Sequence, residues 1–81
     1  MNFNTLKSEI KGEAIKDAAI FVDENGEAFD RNSSGEYETV SVREYLKQRG
    51  IKWNELPDGQ YDELVELYAE TIADESESLA A

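Results

Sequence analysis

The chain has 81 residues, of which 19 are acidic and 8 basic, so its formal net charge is −11. A chain of this length forms one small domain that buries only about 60% of its unfolded surface on folding. It contains no cysteine and no histidine, which excludes disulfides, the usual zinc ligands and the commonest nucleophile–base pairs, and we expect a non-enzymatic protein without a cofactor.

The first predicted helix covers Asn4–Asp17, with Asn4 or Thr5 as its cap. Apolar residues follow one another at steps of three and four, as on one face of a helix. Gly12 lies mid-helix and costs about 1 kcal/mol relative to alanine, so we expect a bend or an early end there. The apolar positions are Phe3, Leu6, Ile10, Ala14 and Ala18.

The next segment predicts a small antiparallel sheet. In "AAIFVDENGEAFD", Ile20–Val22 and Glu27–Asp30 are strand candidates, and the Asn-Gly pair between them favours a hairpin turn because both residues tolerate positive φ. The alternating "GEYETVSV" predicts a third strand that ends near Val40, after the polar loop "RNSSG".

Two helices complete the prediction. "SVRE" is a capping-box pattern that starts a second helix over Val42–Gln48, with Val42, Tyr45 and Leu46 inward and Gly50 as its stop. A third helix follows Pro57 and Asp58, with Asp58 as N-cap and an end near Asp74. Its predicted core positions are Tyr61, Leu64, Val65, Tyr68 and Ile72.

The predicted fold class is therefore α+β: an N-terminal helix, a short antiparallel sheet of two or three strands and two C-terminal helices. Residues 1–74 form the single domain, and residues 75–81 form an acidic tail that we expect to be disordered. The longest purely apolar run, Ala18–Val22, is five residues. It is too short for a membrane span or a signal peptide, so we expect a cytoplasmic protein.

The negative charge is concentrated at the C-terminal end. Residues 1–52 hold ten acidic and eight basic side chains, whereas residues 53–81 hold nine acidic and none basic. On a helix that turns about 100° per residue, the acidic side chains of the third helix form one stripe opposite its core positions. The stripe contains Glu63, Glu66, Glu70, Asp74 and, if the helix extends, Glu77.

An acidic stripe is most simply a solvated helix face. Two features argue for more than that. No lysine or arginine lies within the third helix to pair with it, and the like-charged i,i+4 pairs Glu66–Glu70 and Glu70–Asp74 each cost about 0.2–0.5 kcal/mol. Asp74 and Glu77 also lie near the C-terminal end, where the helix dipole disfavours anions. A compensation is possible, because residues 42–52 are locally basic and the second helix could pack beside the third and neutralise part of the stripe. The basic residues are Arg43, Lys47, Arg49 and Lys52.

In size, acidity and lack of catalytic residues, the chain resembles small phage-type inhibitors that mimic nucleic acid, among them anti-CRISPR proteins, anti-restriction proteins and uracil-DNA glycosylase inhibitors. The resemblance is to a class and has no shared motif. It implies that Glu63, Glu66, Glu70 and Asp74 contact the basic site of a nucleic-acid-binding protein of host defence or repair. An apolar anchor, Trp53, Tyr68 or Tyr61, would add specificity. Contact with free nucleic acid or with a membrane is not expected, since both are anionic.

Three alternatives stay open. The acidity can serve solubility alone, in a small interaction or regulatory domain whose partner contacts the sheet or the second helix. Second, "DRNSSGEYETVS" resembles an EF-hand calcium loop, although Ser41 replaces the glutamate that closes such a loop. Its ligand positions would be Asp30, Asn32, Ser34, Glu36 and Glu38, with Gly35 at the sharp turn. Third, residues 42–68 could form a helix-turn-helix, but its acidic second helix would be repelled from DNA. Independently of this alternative, Trp53 is typical of a core or core-edge residue, and if exposed it would be a candidate for binding.

Overall fold

The computed structural model describes residues 2–31 and 36–81 of the chain. Within these ranges the regular secondary structure consists of α1 (Phe3–Asn25), α2 (Glu36–Gln48), α3 (Gln60–Ala80) and a short 3-10 helix, Trp53–Glu55. No strand occurs among these residues, so the predicted α+β class is wrong. The fold is a bundle of helices.

α1 continues through the segment that was predicted to form a hairpin. Ala18 is fully buried and extends the apolar face of the helix beyond Asp17. The Asn25 side chain donates to the Phe21 carbonyl (2.9 Å), and the N–H of Gly26 donates to the Val22 carbonyl (2.8 Å). Gly26 has φ 72°, so the Asn-Gly pair ends a helix here instead of turning a hairpin. α1 runs through Gly12 without ending, and Asn2 is its N-cap.

α2 begins at Glu36, so the predicted third strand and the predicted capping box at Ser41 are both wrong. The buried side chains on α2 are Glu38, Val42 and Leu46, which are spaced one helical turn apart. This spacing places them on a single helix face. The burial of that face in the bundle overrides the strand preference of the β-branched residues in the segment. Ser41 lies in the middle of the helix.

The predicted end of α2 is confirmed. The helix ends at Gln48, and Gly50 adopts φ 74° while its N–H donates to the Lys47 carbonyl (3.0 Å). The chain then passes through the 3-10 helix to the start of α3.

α3 is present as predicted, although its bounds differ. Leu64, Tyr68 and Ile72 are buried as expected, and Tyr61 and Val65 are partly buried. The N-cap is Gly59, at φ 83°, and not Asp58.

α3 also extends past Asp74 to Ala80. The reason is Ser76, which is fully buried and whose Oγ accepts a hydrogen bond from the Phe29 N–H (2.8 Å). Residues 75–80 of the predicted tail are therefore helical, with Ser76 buried and residues 77–80 exposed.

The contacts between the helices fix their directions. Lys7 lies beside Glu63 and Asp17 beside Tyr68, so α1 and α3 run parallel. α2 runs antiparallel to α1, because Tyr45 contacts Glu9 while Tyr37, earlier on α2, packs on Phe21 near the end of α1. The bundle measures 37 × 21 × 17 Å. Its core contains Leu6, Ile10, Ala14, Ala18, Phe29, Val42, Leu46, Leu64, Tyr68 and Ile72.

Within the ranges that the structure describes, none of the helices combines the length and the apolar character that crossing a bilayer requires.

Candidate partner-binding surface

The acidic residues predicted to form a stripe do lie together on the outer side of α3. We call this surface the acidic stripe. All of its members are exposed, and they lie opposite the buried Leu64 and Ile72. Because α3 continues to Ala80, the stripe extends along most of the helix at steps of about 4.5–6 Å. Its members are Glu63, Glu66, Glu70, Asp74 and Glu77.

Part of the stripe is neutralised from within the chain. Lys7 of α1 places its Nζ 3.3 Å from Glu63 Oε2, and the Arg31 guanidinium hydrogen-bonds to Glu66. Exposed pairs of this kind contribute only about 0–1 kcal/mol each. Glu70 and Asp74 form no ion pair with any residue in 2–31 or 36–81.

The cations that follow Ser41 do not pair with the stripe, contrary to the compensation considered from the sequence. Arg43 donates from Nε to the Tyr61 hydroxyl (2.8 Å), and Arg49 pairs with Glu9 of α1 (2.9 Å). Lys52 lies 3.9 Å from Glu55. The neutralising charge comes instead from α1 and from the segment after it.

Leu67 is an apolar residue of this surface that the sequence did not single out. It is partly buried and lines two shallow depressions along the stripe, of about 350 and 300 Å³. The first depression is also lined by Lys7, Glu63, Glu66 and Glu70, and the second by Lys11, Glu70, Thr71, Asp74 and Glu75. The signal that could have identified it is a leucine at i+6 from Tyr61, a position outside the i, i+3, i+4, i+7 core pattern.

Tyr68, a predicted anchor, is an internal residue. Only 1% of it is exposed, and its hydroxyl donates to Asp17 Oδ2 (2.7 Å). Burial raises the pKa of Tyr68 above the ordinary 10.0, and the hydrogen bond to Asp17 raises it further. The side chain therefore ties α3 to α1 and is not available to a partner.

Trp53 lies at the surface but not on the acidic stripe. It is 38% exposed on the 3-10 helix, and its ring lies 4.9 Å from that of Tyr61, centroid to centroid. Tyr61 points to the side of α3 opposite the stripe. Trp53 and the acidic stripe thus belong to different surfaces.

The calcium-loop hypothesis lies only partly within the described residues. Asn32, Ser34 and Gly35 fall outside them. Glu36, Glu38 and Ser41 belong to α2, so the second half of the proposed loop is helical. Across residues 2–31 and 36–81, no group of three or more acidic side chains has a geometry that could hold a metal ion.

Comparisons of this chain with protein-family models, with curated proteins and with solved structures give no match.

Proposed function

We propose that this chain is a non-enzymatic inhibitor that presents the acidic stripe of α3 to the basic site of a nucleic-acid-binding protein, in the manner of phage-encoded anti-defence proteins. The observation that supports the proposal is the exposed, continuous row of carboxylates along α3, of which Glu70 and Asp74 have no ion pair within residues 2–31 and 36–81. A helix that carries like charges one turn apart on its exposed face is less stable than a helix in which opposite charges alternate there. The arrangement on α3 therefore needs a reason other than stability.

In the proposed mechanism, the stripe occupies the channel that normally holds phosphates. Carboxylates spaced at about 4.5–6 Å offer arginine and lysine side chains repeated acceptors for charge-assisted hydrogen bonds. Lys7 and Arg31 give up their exposed pairs with Glu63 and Glu66 at little cost, because such pairs contribute about 0–1 kcal/mol each. The net charge of −11 accelerates encounter with a basic target and makes association sensitive to salt.

Charge alone does not select one target, and an apolar contact supplies specificity. Leu67 is suited to this role because it lies between Glu66 and Glu70 and is partly exposed. In a complex Leu67 would become the buried apolar centre of the interface, surrounded by a rim of polar residues, which is the usual arrangement of interface hot spots. The protein acts in the cytoplasm of the host cell, where such targets are found.

The test is affinity capture from a bacterial lysate, with elution by a salt gradient and identification by mass spectrometry. We expect a nucleic-acid-binding protein that elutes at moderate salt and that DNA or RNA displaces. A partner that resists salt and ignores nucleic acid would contradict mimicry.

A pair of bait variants makes this test specific to the stripe. The double variant Glu70→Lys/Asp74→Lys reverses the two carboxylates without ion pairs and should abolish capture. The control Asp23→Lys/Glu24→Lys changes the net charge equally at two exposed residues near the end of α1 and should retain the target. Equal loss in both variants would show that net charge, and not the stripe, governs binding.

A further inference from the structure

A second surface, distinct from the acidic stripe, has the opposite charge. An open groove of about 560 Å³ lies between α2 and the segment that leads to the 3-10 helix, and we call it the α2 groove. This volume is within the range of about 300–1,000 Å³ that ligand sites occupy. The apolar part of its lining is Val40, Ile51 and Trp53, and the cationic part is Arg43, Lys47 and Lys52.

The α2 groove concentrates positive charge in a strongly negative protein. Three of the eight basic residues of the chain line it, against one acidic residue, Glu44. Neither Arg43 nor Lys47 forms an ion pair within the part of the chain that the structure describes. Screening confines the fields of distant charges to about 8 Å at physiological salt, so a ligand in the groove experiences mainly these nearby cations.

Arg43 is held in place by two aromatic side chains. Its Cζ lies 3.9 Å from the centre of the Trp53 ring and 5.6 Å from that of Tyr61. Its Nε donates to the Tyr61 hydroxyl (2.8 Å), which leaves the terminal amino groups of the guanidinium for a ligand. A planar guanidinium fixed in this way matches the two oxygens of a carboxylate and loses little entropy on binding.

The apolar part of the groove is also exposed. Val40 is 64% exposed and Trp53 38% exposed. Exposed apolar side chains rimmed by charge are typical of protein-binding sites. A free phosphate would leave this apolar surface uncovered. A nucleic-acid base would find one face of the Trp53 ring already covered by Arg43.

From this geometry we propose that the α2 groove binds an acidic segment of a partner protein that carries leucine or phenylalanine side chains. One carboxylate of the segment accepts hydrogen bonds from Arg43, a second lies near Lys47, and an apolar side chain packs against Val40, Ile51 and Trp53. The site differs from the acidic stripe in location and in the charge of its partner, so the chain has two binding surfaces of opposite sign.

The probe for this site is a capped synthetic peptide in which glutamate alternates with leucine and one phenylalanine. Trp53 is the only tryptophan of the chain, so its fluorescence reports directly on occupation of the groove. We expect saturable binding of this peptide. Matched peptides with lysine for glutamate, or with serine for the apolar residues, should bind at least about tenfold more weakly, a difference of about 1.4 kcal/mol.

The variants Arg43→Gln and Lys47→Gln test the cations. Both should weaken binding of the peptide at least about tenfold by isothermal titration calorimetry, since each removes a charged hydrogen-bond donor. Lys11→Gln removes the same charge from an exposed position on α1 that lies beside Glu70 and Asp74 of the acidic stripe and does not line the groove, so it should leave the affinity within about twofold. Helicity measured by circular dichroism verifies that each variant is folded.

Four results would overturn the proposal. The first is no change in Trp53 fluorescence with the acidic peptide up to about 1 mM, the weakest affinity a specific site would show. The second is equal binding of the lysine peptide. The third is full competition by inorganic phosphate or by the serine peptide, which would indicate a simple anion site. The fourth is self-association that Arg43→Gln abolishes, which would assign the groove to a second copy of the chain.

Discussion

Replacing Ser76 by alanine tests the contact that holds the last turns of α3 to the bundle. The Ser76 hydroxyl is fully buried, accepts from the Phe29 N–H (2.8 Å) and donates to the Ala73 carbonyl (3.2 Å). Phe29 in turn packs its ring 5.5 Å from that of Phe21 and 5.4 Å from that of Tyr37. Ser76→Ala removes the acceptor of the buried Phe29 N–H. Within the described residues, that N–H then has no hydrogen-bond partner.

The expected loss follows from that unpaired donor. A buried N–H without an acceptor costs about 1–3 kcal/mol. Alanine is a better helix former than serine by about 0.5 kcal/mol, which offsets part of the loss. We therefore expect the free energy of unfolding to fall by about 0.5–2.5 kcal/mol, which for a domain of this size corresponds to a decrease in Tm of about 2–20 °C.

The assay is urea unfolding followed by circular dichroism, with Ser78→Ala as the matched control. Ser78 lies on the same helix but is exposed, so its replacement should leave stability unchanged or raise it by about 0.5 kcal/mol. The midpoint should shift in Ser76→Ala without a change in the slope m. The reasoning is refuted if Ser76→Ala is as stable as Ser78→Ala.

Three further predictions concern pH, glycine and charge. Burial raises the pKa of Tyr45 and Tyr68 above 10.0, so their contribution to stability is complete below that pH and is lost as the pH rises above it. Urea unfolding between about pH 8 and pH 11 should therefore show a decline in the free energy of unfolding, and the decline should be smaller in Tyr68→Phe. A free energy of unfolding that does not change with pH would contradict this prediction. Gly12→Ala should raise Tm, because the glycine lies in the middle of α1 with open space around its Cα. Gly26→Ala should lower Tm, because alanine is strained at φ 72°. Each effect is about 1 kcal/mol, and a change of the same sign in both variants would refute the argument. Glu70→Gln should stabilise the protein by about 0.4–1 kcal/mol, since it removes two like-charge i,i+4 repulsions, with Glu66 and Asp74, of about 0.2–0.5 kcal/mol each, and a thermal melt showing lower stability would mean that the stripe is not self-repelling.

The sequence predicted elements best where one physical signal was unopposed. α3 has apolar residues at helical spacing, and the buried positions Leu64, Tyr68 and Ile72 were predicted correctly. The Asn25-Gly26 pair was ambiguous, because tolerance of positive φ suits a hairpin turn and a helix C-cap equally. The choice depended on whether Ala18 and Phe21 continue the face of α1, which only packing against the other helices decides.

The same division applies to the candidate surfaces. Helix geometry alone was sufficient to align Glu66, Glu70 and Asp74, since their relation is local to one element. The pairing of Glu66 with Arg31 and the burial of Tyr68 depend on contacts between distant parts of the chain. The α2 groove was not predictable for the same reason, because Arg43 meets Trp53 and Tyr61 only after the chain has turned at Gly50.

The parallel arrangement of α1 and α3 has a consequence for how the chain is made. The two helices that share much of the core are far apart in sequence, as the contact between Lys7 and Glu63 shows. During synthesis, the part of the apolar face of α1 that α3 covers stays exposed until α3 has left the ribosome. Closing so long a loop is slow, and an exposed apolar face favours aggregation. We therefore expect that a chain truncated before α3 leaves no folded product and is removed by proteases.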